Sequence, residues 1–166
     1  MPALSKQMEA ALNRQINQEM AGAYSYLAMA GFYEAKNLSG FATWVHAQRI
    51  EELEHAMRLF RYVLDRGGQI DLASVEKPRH DYTSVRETFE TALELEQLNT
   101  KSINDLYEMA VDEKDYATQS HLQWFVDEQV EEEKSVEEVL GLLTVAGDDK
   151  SSLLVLNRQL AERKKD

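Results

Sequence analysis

Cysteine is absent from the 166-residue chain, which excludes disulfides, zinc fingers, iron–sulfur clusters and thiol catalysis together. Proline is nearly absent too. Pro2 and Pro78 are the only two, so residues 79–166 run without the residue that ends helices. Basic residues are scarce, with 18 Lys and Arg against 30 Asp and Glu for a formal charge of −12. A general affinity for nucleic-acid phosphates or anionic membranes is thereby disfavoured. No apolar run approaches the roughly 18 residues of a membrane-spanning helix, and Met1–Lys6 shows no signal-peptide pattern. The expected location is the cytoplasm, although a mature organellar protein with its transit peptide removed would read the same way.

What remains is 43% apolar and 29% charged, a balance suited to one folded domain over residues 1–166. Four long segments carry apolar residues at three- and four-residue steps. The first runs Leu12, Ile16, Ala23, Leu27, Ala30. The second follows Ser39, a candidate cap, and runs Phe41, Val45, Ala56, Leu59, Val63. The third runs Val85, Phe89, Ala92, Ile103, Tyr107, Ala110 after Tyr82-Thr-Ser84. The fourth starts near Asp115 and runs Leu122, Phe125, Val136, Val139, Leu143. None alternates, so strands are not expected. Short links around Asn37–Gly40 and Asp112–Asp115 predict two antiparallel hairpins. The longer stretch Asp65–Asp81, with Gly67-Gly68 to stop a helix, suits a crossover along the bundle. The fold class is all-α: a four-helix bundle over about residues 5–146, one long crossover, and a short fifth helix over about 150–162. Leu153, Leu156 and Leu160 on that last helix are expected to need contacts with other subunits for burial.

An acid interrupts every inward stripe at mid-length. Glu19 falls between Ile16 and Ala23, and Glu52 with His55 between Val45 and Leu59. Glu96 falls between Ala92 and Ile103, and Glu132 between Phe125 and Val136, with Gln129 one turn earlier. A lone Glu-x-x-His on a helix is common, and any one of these acids read singly is a surface residue. Four at matching depth are different, because burying that many carboxylates is prohibitive without positive charge between them. A pair of divalent metal ions supplies it. Carboxylate, imidazole and amide donors without sulfur suit iron or manganese. Glu52 and His55 stand one turn apart, as in the ligand pattern of di-iron carboxylate bundles.

At these residues the chain resembles the ferritins, specifically the haem-free bacterial kind, along nearly its whole length. The stretches that carry the resemblance are Leu12-Asn-Arg-Gln-Ile-Asn-Gln-Glu19, Tyr24-Ser-Tyr-Leu27, Glu51-Glu-Leu-Glu-His55, Leu95-Glu-Gln97 and Leu122-Gln-Trp-Phe-Val-Asp-Glu-Gln-Val-Glu-Glu-Glu-Lys134. The resemblance implies a homo-oligomeric shell of 24 subunits with a di-iron ferroxidase centre in each bundle. Fe(II) is oxidised there by dioxygen or peroxide, and ferric oxide mineral is stored inside. By position it implies Glu19, Glu52 and His55 around one iron, with Glu52 bridging to a second that Glu96 and Glu132 complete. Gln129 would sit beside the pair. Glu51, Glu128, Glu131 and the shared Glu132 would form a third iron site, and Tyr26 would act as a nearby electron or hydrogen-bond donor. Trp124 occupies a matching aromatic position, for which core packing is the simpler reading.

Departures from related families narrow the reading. Leu53 stands where bacterioferritins place a haem-ligating methionine, so no haem is expected. Gln119 and Leu122 stand where animal ferritins carry channel acids, which points iron entry elsewhere, for instance to Glu113 and Asp115. A di-iron oxidase or peroxidase of the rubrerythrin type is the competing reading, against which the missing cysteines and the single Glu-x-x-His both count. His46 and His121 are not taken as ligands.

Overall fold

The computed structural model describes residues 3–163. The chain forms α1 (Lys6–Ala35), α2 (Ser39–Asp65), α3 (Val85–Asp112), α4 (Tyr116–Ala146) and α5 (Lys150–Ala161), with no strand among the described residues. None of these helices is long and apolar enough to cross a membrane.

Helix starts are written locally, with one exception. Ser5, Ser84, Asp115 and Asp149 each accept a hydrogen bond from the backbone N–H three residues on, which opens α1, α3, α4 and α5. Ser39 does not cap α2, contrary to the sequence expectation. It is the first helical residue, and Leu38 before it has no side chain to offer. The cap comes from the far end of the chain. Asn157 on α5 accepts from the backbone N–H groups of Gly40 (2.9 Å) and Phe41 (3.2 Å).

Three helix ends share one device, a residue in the left-handed region followed by an N–H that reaches back to a carbonyl of the last turn. Asn37 (φ 58°) and Lys114 (φ 55°) make the two hairpin turns, and Gly67 (φ 73°) ends α2. The return bonds run from Leu38 to Tyr33, from Asp115 to Ala110 and from Gly68 to Val63. The hairpins α1–α2 and α3–α4 form as expected.

Residues 66–84 carry the crossover, and α1 serves as its track. Asn13 holds the start by bonds to the Gln69 carbonyl (2.9 Å) and the Asp71 N–H (2.8 Å), while Tyr82 reaches Phe32 at the other end, ring centroids 5.7 Å apart. Arg66, buried at the end of α2, binds Asp115 at 2.9 Å and so pins the first hairpin to the turn of the second. α1 packs closely on α3, whereas α2 and α4 stand further apart, with a groove of about 970 Å³ between them.

The core divides into two apolar layers. One gathers Tyr26, Tyr33, Phe41, Trp44, Phe89 and Val136, together with Leu156 and Leu160 from α5. The other gathers Met8, Leu12, Ile16, Leu59, Ile103, Leu122 and Phe125. Between them lies a polar layer at the middle of all four long helices. The α5 leucines correct the sequence reading, because Leu156 and Leu160 are buried within this chain and Leu153 packs partly against them. Leu154 and Val155 are the exposed ones.

Gly40 is required where α5 docks, since a Cβ there would stand 1.6 Å from the Asn157 carbonyl oxygen. Gly40→Ala is therefore expected to lift α5 from α2, seen as rapid proteolysis around Gly147–Lys150. Gly31→Ala, where a Cβ meets nothing, is the control and should leave the cleavage rate unchanged. Equal protection in both variants would show that α5 is held by other means.

Candidate metal centre

Each long helix delivers one acid to the polar layer because its apolar stripe is interrupted there. α1 supplies Glu19, α2 Glu52 and His55, α3 Glu96, and α4 Glu132 with Gln129 one turn before it. All six are buried, at most 4% exposed, and Tyr26 is fully buried beside them. Glu19, Glu52 and His55 each turn a donor atom to one point, all within 4.8 Å of one another. His55, Glu128 and Glu132 do the same at a second point. His55 joins the two groups: Nδ1 is 3.8 Å from Glu19 Oε2, and Nε2 is 3.9 Å from Glu132 Oε1. Both gaps are too long for hydrogen bonds and open enough for ions to sit between.

Amide side chains hold both oxygens of Glu19 and one of Glu132. Gln15 donates to Glu19 Oε1 (2.8 Å), Asn99 to Glu19 Oε2 (3.1 Å) and Gln48 to Glu132 Oε2 (2.5 Å). Tyr26 donates its hydroxyl proton to Glu96. Gln129 donates to the Glu96 carbonyl (3.2 Å) and accepts from Asn99 (3.3 Å), so it lies beside the acids. Gln15, Gln48 and Asn99 escaped the sequence reading. The signal was available, as they fall on the inward stripes one turn from the acids, but amides are read there as neutral filler.

Two inner atoms have no partner: Glu52 Oε1 and His55 Nδ1 are buried without a hydrogen bond. A buried carboxylate oxygen and imidazole nitrogen left without a hydrogen bond cost stability, and both belong to residues of the first group. The donor set fits hard-to-borderline divalent metal ions such as iron or manganese. Gly22 on α1 makes room for this carboxylate, since a Cβ there would stand 2.6 Å from Glu52 Oε2.

The electrostatics agree with an unneutralised cluster. Burial first, then the charges of Glu96 and Glu19, hold the Glu52 carboxyl well above the usual range. Burial and Glu132 push Glu96 up to about 8. Glu132 stands at about 6, with burial partly offset by the Gln48 hydrogen bond and by His55. For His55 burial favours the neutral ring, but Glu19, Glu132 and Glu128 outweigh it and its pKa is raised. Burial, then the charges of Glu96, Glu52 and Glu132, keep Tyr26 protonated as a donor.

The remaining sequence candidates separate. Glu128 is half-buried and joins the second group. Glu51 is held instead by Arg163 (3.0 Å), and Glu131 is exposed beside Lys134 (3.7 Å), so neither enters a ligand group. Trp124 stands edge-on to His55, ring centroids 5.4 Å apart, with Arg58 over its other side, and so sets the imidazole's orientation. His46 pairs with Glu34 and His121 stacks on Tyr62, both outside the groups. Leu122 is buried in the core, and Asp115 pairs with Arg66.

The raised acid pKa values predict how the metal-free protein responds to pH. Below about 4.5 these acids are neutral in both folded and unfolded chains. As pH rises towards about 8 the unfolded chain ionises first, so folded stability falls across that window. The thermal midpoint of the metal-free protein should therefore drop over this range, and excess Zn(II) should abolish the drop. A midpoint that rises would mean that the acids are satisfied without metal.

Comparison with known proteins gives one answer by three routes. The ferritin-like domain family matches residues 9–145. A bacterial non-heme ferritin of Staphylococcus aureus (strain USA300) is 40% identical over 160 residues, 96% of each chain, and one of Staphylococcus epidermidis is 41% identical over the same share. The open pore ferritin of the hyperthermophilic archaeon Archaeoglobus fulgidus superposes with a TM-score of 0.97 at 45% identity, over 99% of this chain and 100% of that one. Fold, buried acid layer and sequence agree that this chain belongs to the ferritin family.

Proposed function

We propose that the protein stores iron by oxidising Fe(II) in the buried acid layer and holding the ferric product as mineral inside a shell of 24 copies, in the cytoplasm. The observation that carries this reading is the pair of bare ligand atoms, Glu52 Oε1 and His55 Nδ1, inside a ring of four buried glutamates. Fe(II) is the substrate. Glu19, Glu52 and His55 take one ion, and Glu52 bridges to a second held by Glu96 and Glu132. The ions lose one electron each, and dioxygen or peroxide accepts the pair, so two Fe(II) and one dioxygen with two protons give two Fe(III) and one hydrogen peroxide. The glutamates hold the product charge, and the amides keep the carboxylates aimed while the ions change charge. Tyr26 fixes Glu96 through its hydroxyl and is an oxidisable side chain in contact with the layer.

Glu51, Glu128 and Glu131 form a third iron site on the groove side of the pair. They line the same groove as His55 and Glu132, which leads from the surface to the buried ions. No haem is bound, because Leu53 offers no lone pair at the position haem-binding relatives use. Assembly is favoured by an unpartnered apolar strip on α1, where Met20, Tyr24 and Leu27 are 37–46% exposed, and by Leu154 and Val155 on α5.

Two measurements test this. Native mass together with the iron content after aerobic Fe(II) loading should give a closed shell holding many iron atoms per chain; about two per chain in a small oligomer would indicate a di-iron enzyme instead. In stopped flow, Glu52→Ala removes a ligand from both ions and should slow the first oxidation step by about 100-fold or more. Glu131→Ala should spare that step and alter only later turnover. The reverse pattern would overturn the assignment of the bridging ligand.

A further inference from the structure

Arg163 lies just past α5, yet its guanidinium reaches the edge of the acid layer. It stacks over the Trp44 ring at 4.4 Å, donates to the Trp44 carbonyl (3.4 Å) and to the Gln48 side chain, and pairs with Glu51 at 3.0 Å. Both partners of the ion pair are mostly buried, 19% and 15% exposed. Gln48 in turn donates to Glu132. Arg58 and Arg61 also line the groove, but Arg58 is engaged over Trp124. Arg163 is thus the cation that meets the acids at this end, and Glu51 is drawn to it while His55, Glu128 and Glu132 converge without it.

We propose that Arg163 is a resident counter-cation of the third site, holding Glu51 away from the His55–Glu128–Glu132 group until a divalent ion displaces it. The inference rests on Glu51 serving that site, as proposed above. A guanidinium cannot lose its proton, so it competes with a metal ion for the same carboxylate at every physiological pH. Displacing it also frees the end of α5 from Trp44 and Gln48. The third ion is therefore bound at the cost of a helix-end contact, which keeps that site weaker than the first two and suits an ion that must move on.

Calorimetric titration of the assembled, iron-free protein with Zn(II), a divalent ion that does not oxidise, separates the steps. Arg163→Gln should tighten the third equivalent about tenfold relative to the first two, and Arg163→Lys, which keeps the charge, should change it far less. With Glu51→Gln already present, Arg163→Gln should change nothing. In a Trp124→Phe background the third equivalent should also shift Trp44 fluorescence, and the shift should vanish with Arg163→Gln. If Glu51→Gln weakens the third equivalent while Arg163→Gln leaves it unchanged, Arg163 does not compete and the proposal fails with the third site intact. If Glu51→Gln leaves the third equivalent unchanged, Glu51 is no ligand, and the site reading falls along with the proposal.

Discussion

Four carboxylates buried at one level are mutually repulsive and poorly solvated, and the rest of the structure is arranged around that constraint. A conventional bundle would close this layer with leucine. Here the apolar core splits into two clusters, and the polar layer between them is lined by Gln15, Gln48, Asn99 and Gln129. Amides suit the task because they donate to carboxylates without adding charge. A lysine or arginine in their place would form ion pairs within the layer and remove its need for metal. Once ionised, the layer would be stabilised by bound cations, which would make occupancy and folding stability two aspects of one equilibrium.

The same constraint explains the asymmetry of the bundle. On the α1 side the helices approach closely, and Gly22 yields the space that the Glu52 carboxylate takes up. On the opposite side α2 and α4 stand apart around a groove whose walls carry Glu51, Glu128 and Glu131. These acids differ from the buried four in being partly solvated, so they can be charged without a bound ion at modest cost. From the groove inward, the carboxylates would therefore pass from solvated and weakly attractive to cations, to dry and strongly attractive.

Much of this was legible in the sequence, because apolar periodicity and mid-stripe acids both depend on local spacing. The hairpins, the crossover and the burial of Glu19, Glu52, His55, Glu96 and Glu132 follow from such spacing. The features that were not legible depend on partners far apart in the chain. Ser39 has the residue type and place of a cap, yet the cap of α2 is Asn157, more than a hundred residues away. Leu156 and Leu160 read as an exposed strip because nothing local says that α5 folds back over the α2 start. The pairing of Glu51 with Arg163 is equally beyond the reach of local spacing.

These long-range contacts have a common origin, since all involve α5 or the residue just past it. Its inner face completes the upper apolar cluster, Asn157 caps α2, and Arg163 reaches Gln48 and Glu51. A helix of 12 residues would not be stable alone and gains its order from those three contacts. Its outer face, with Leu154 and Val155, is exposed. A neighbour that covers that face would steady the inner one, and Arg163 with it. Assembly and the metal layer would then be linked through a single short helix: subunits that associate hold Arg163 in place, and an ion that displaces Arg163 loosens the element at the contact between subunits. The linkage is reciprocal by thermodynamic necessity, so its size measured from either side must be the same.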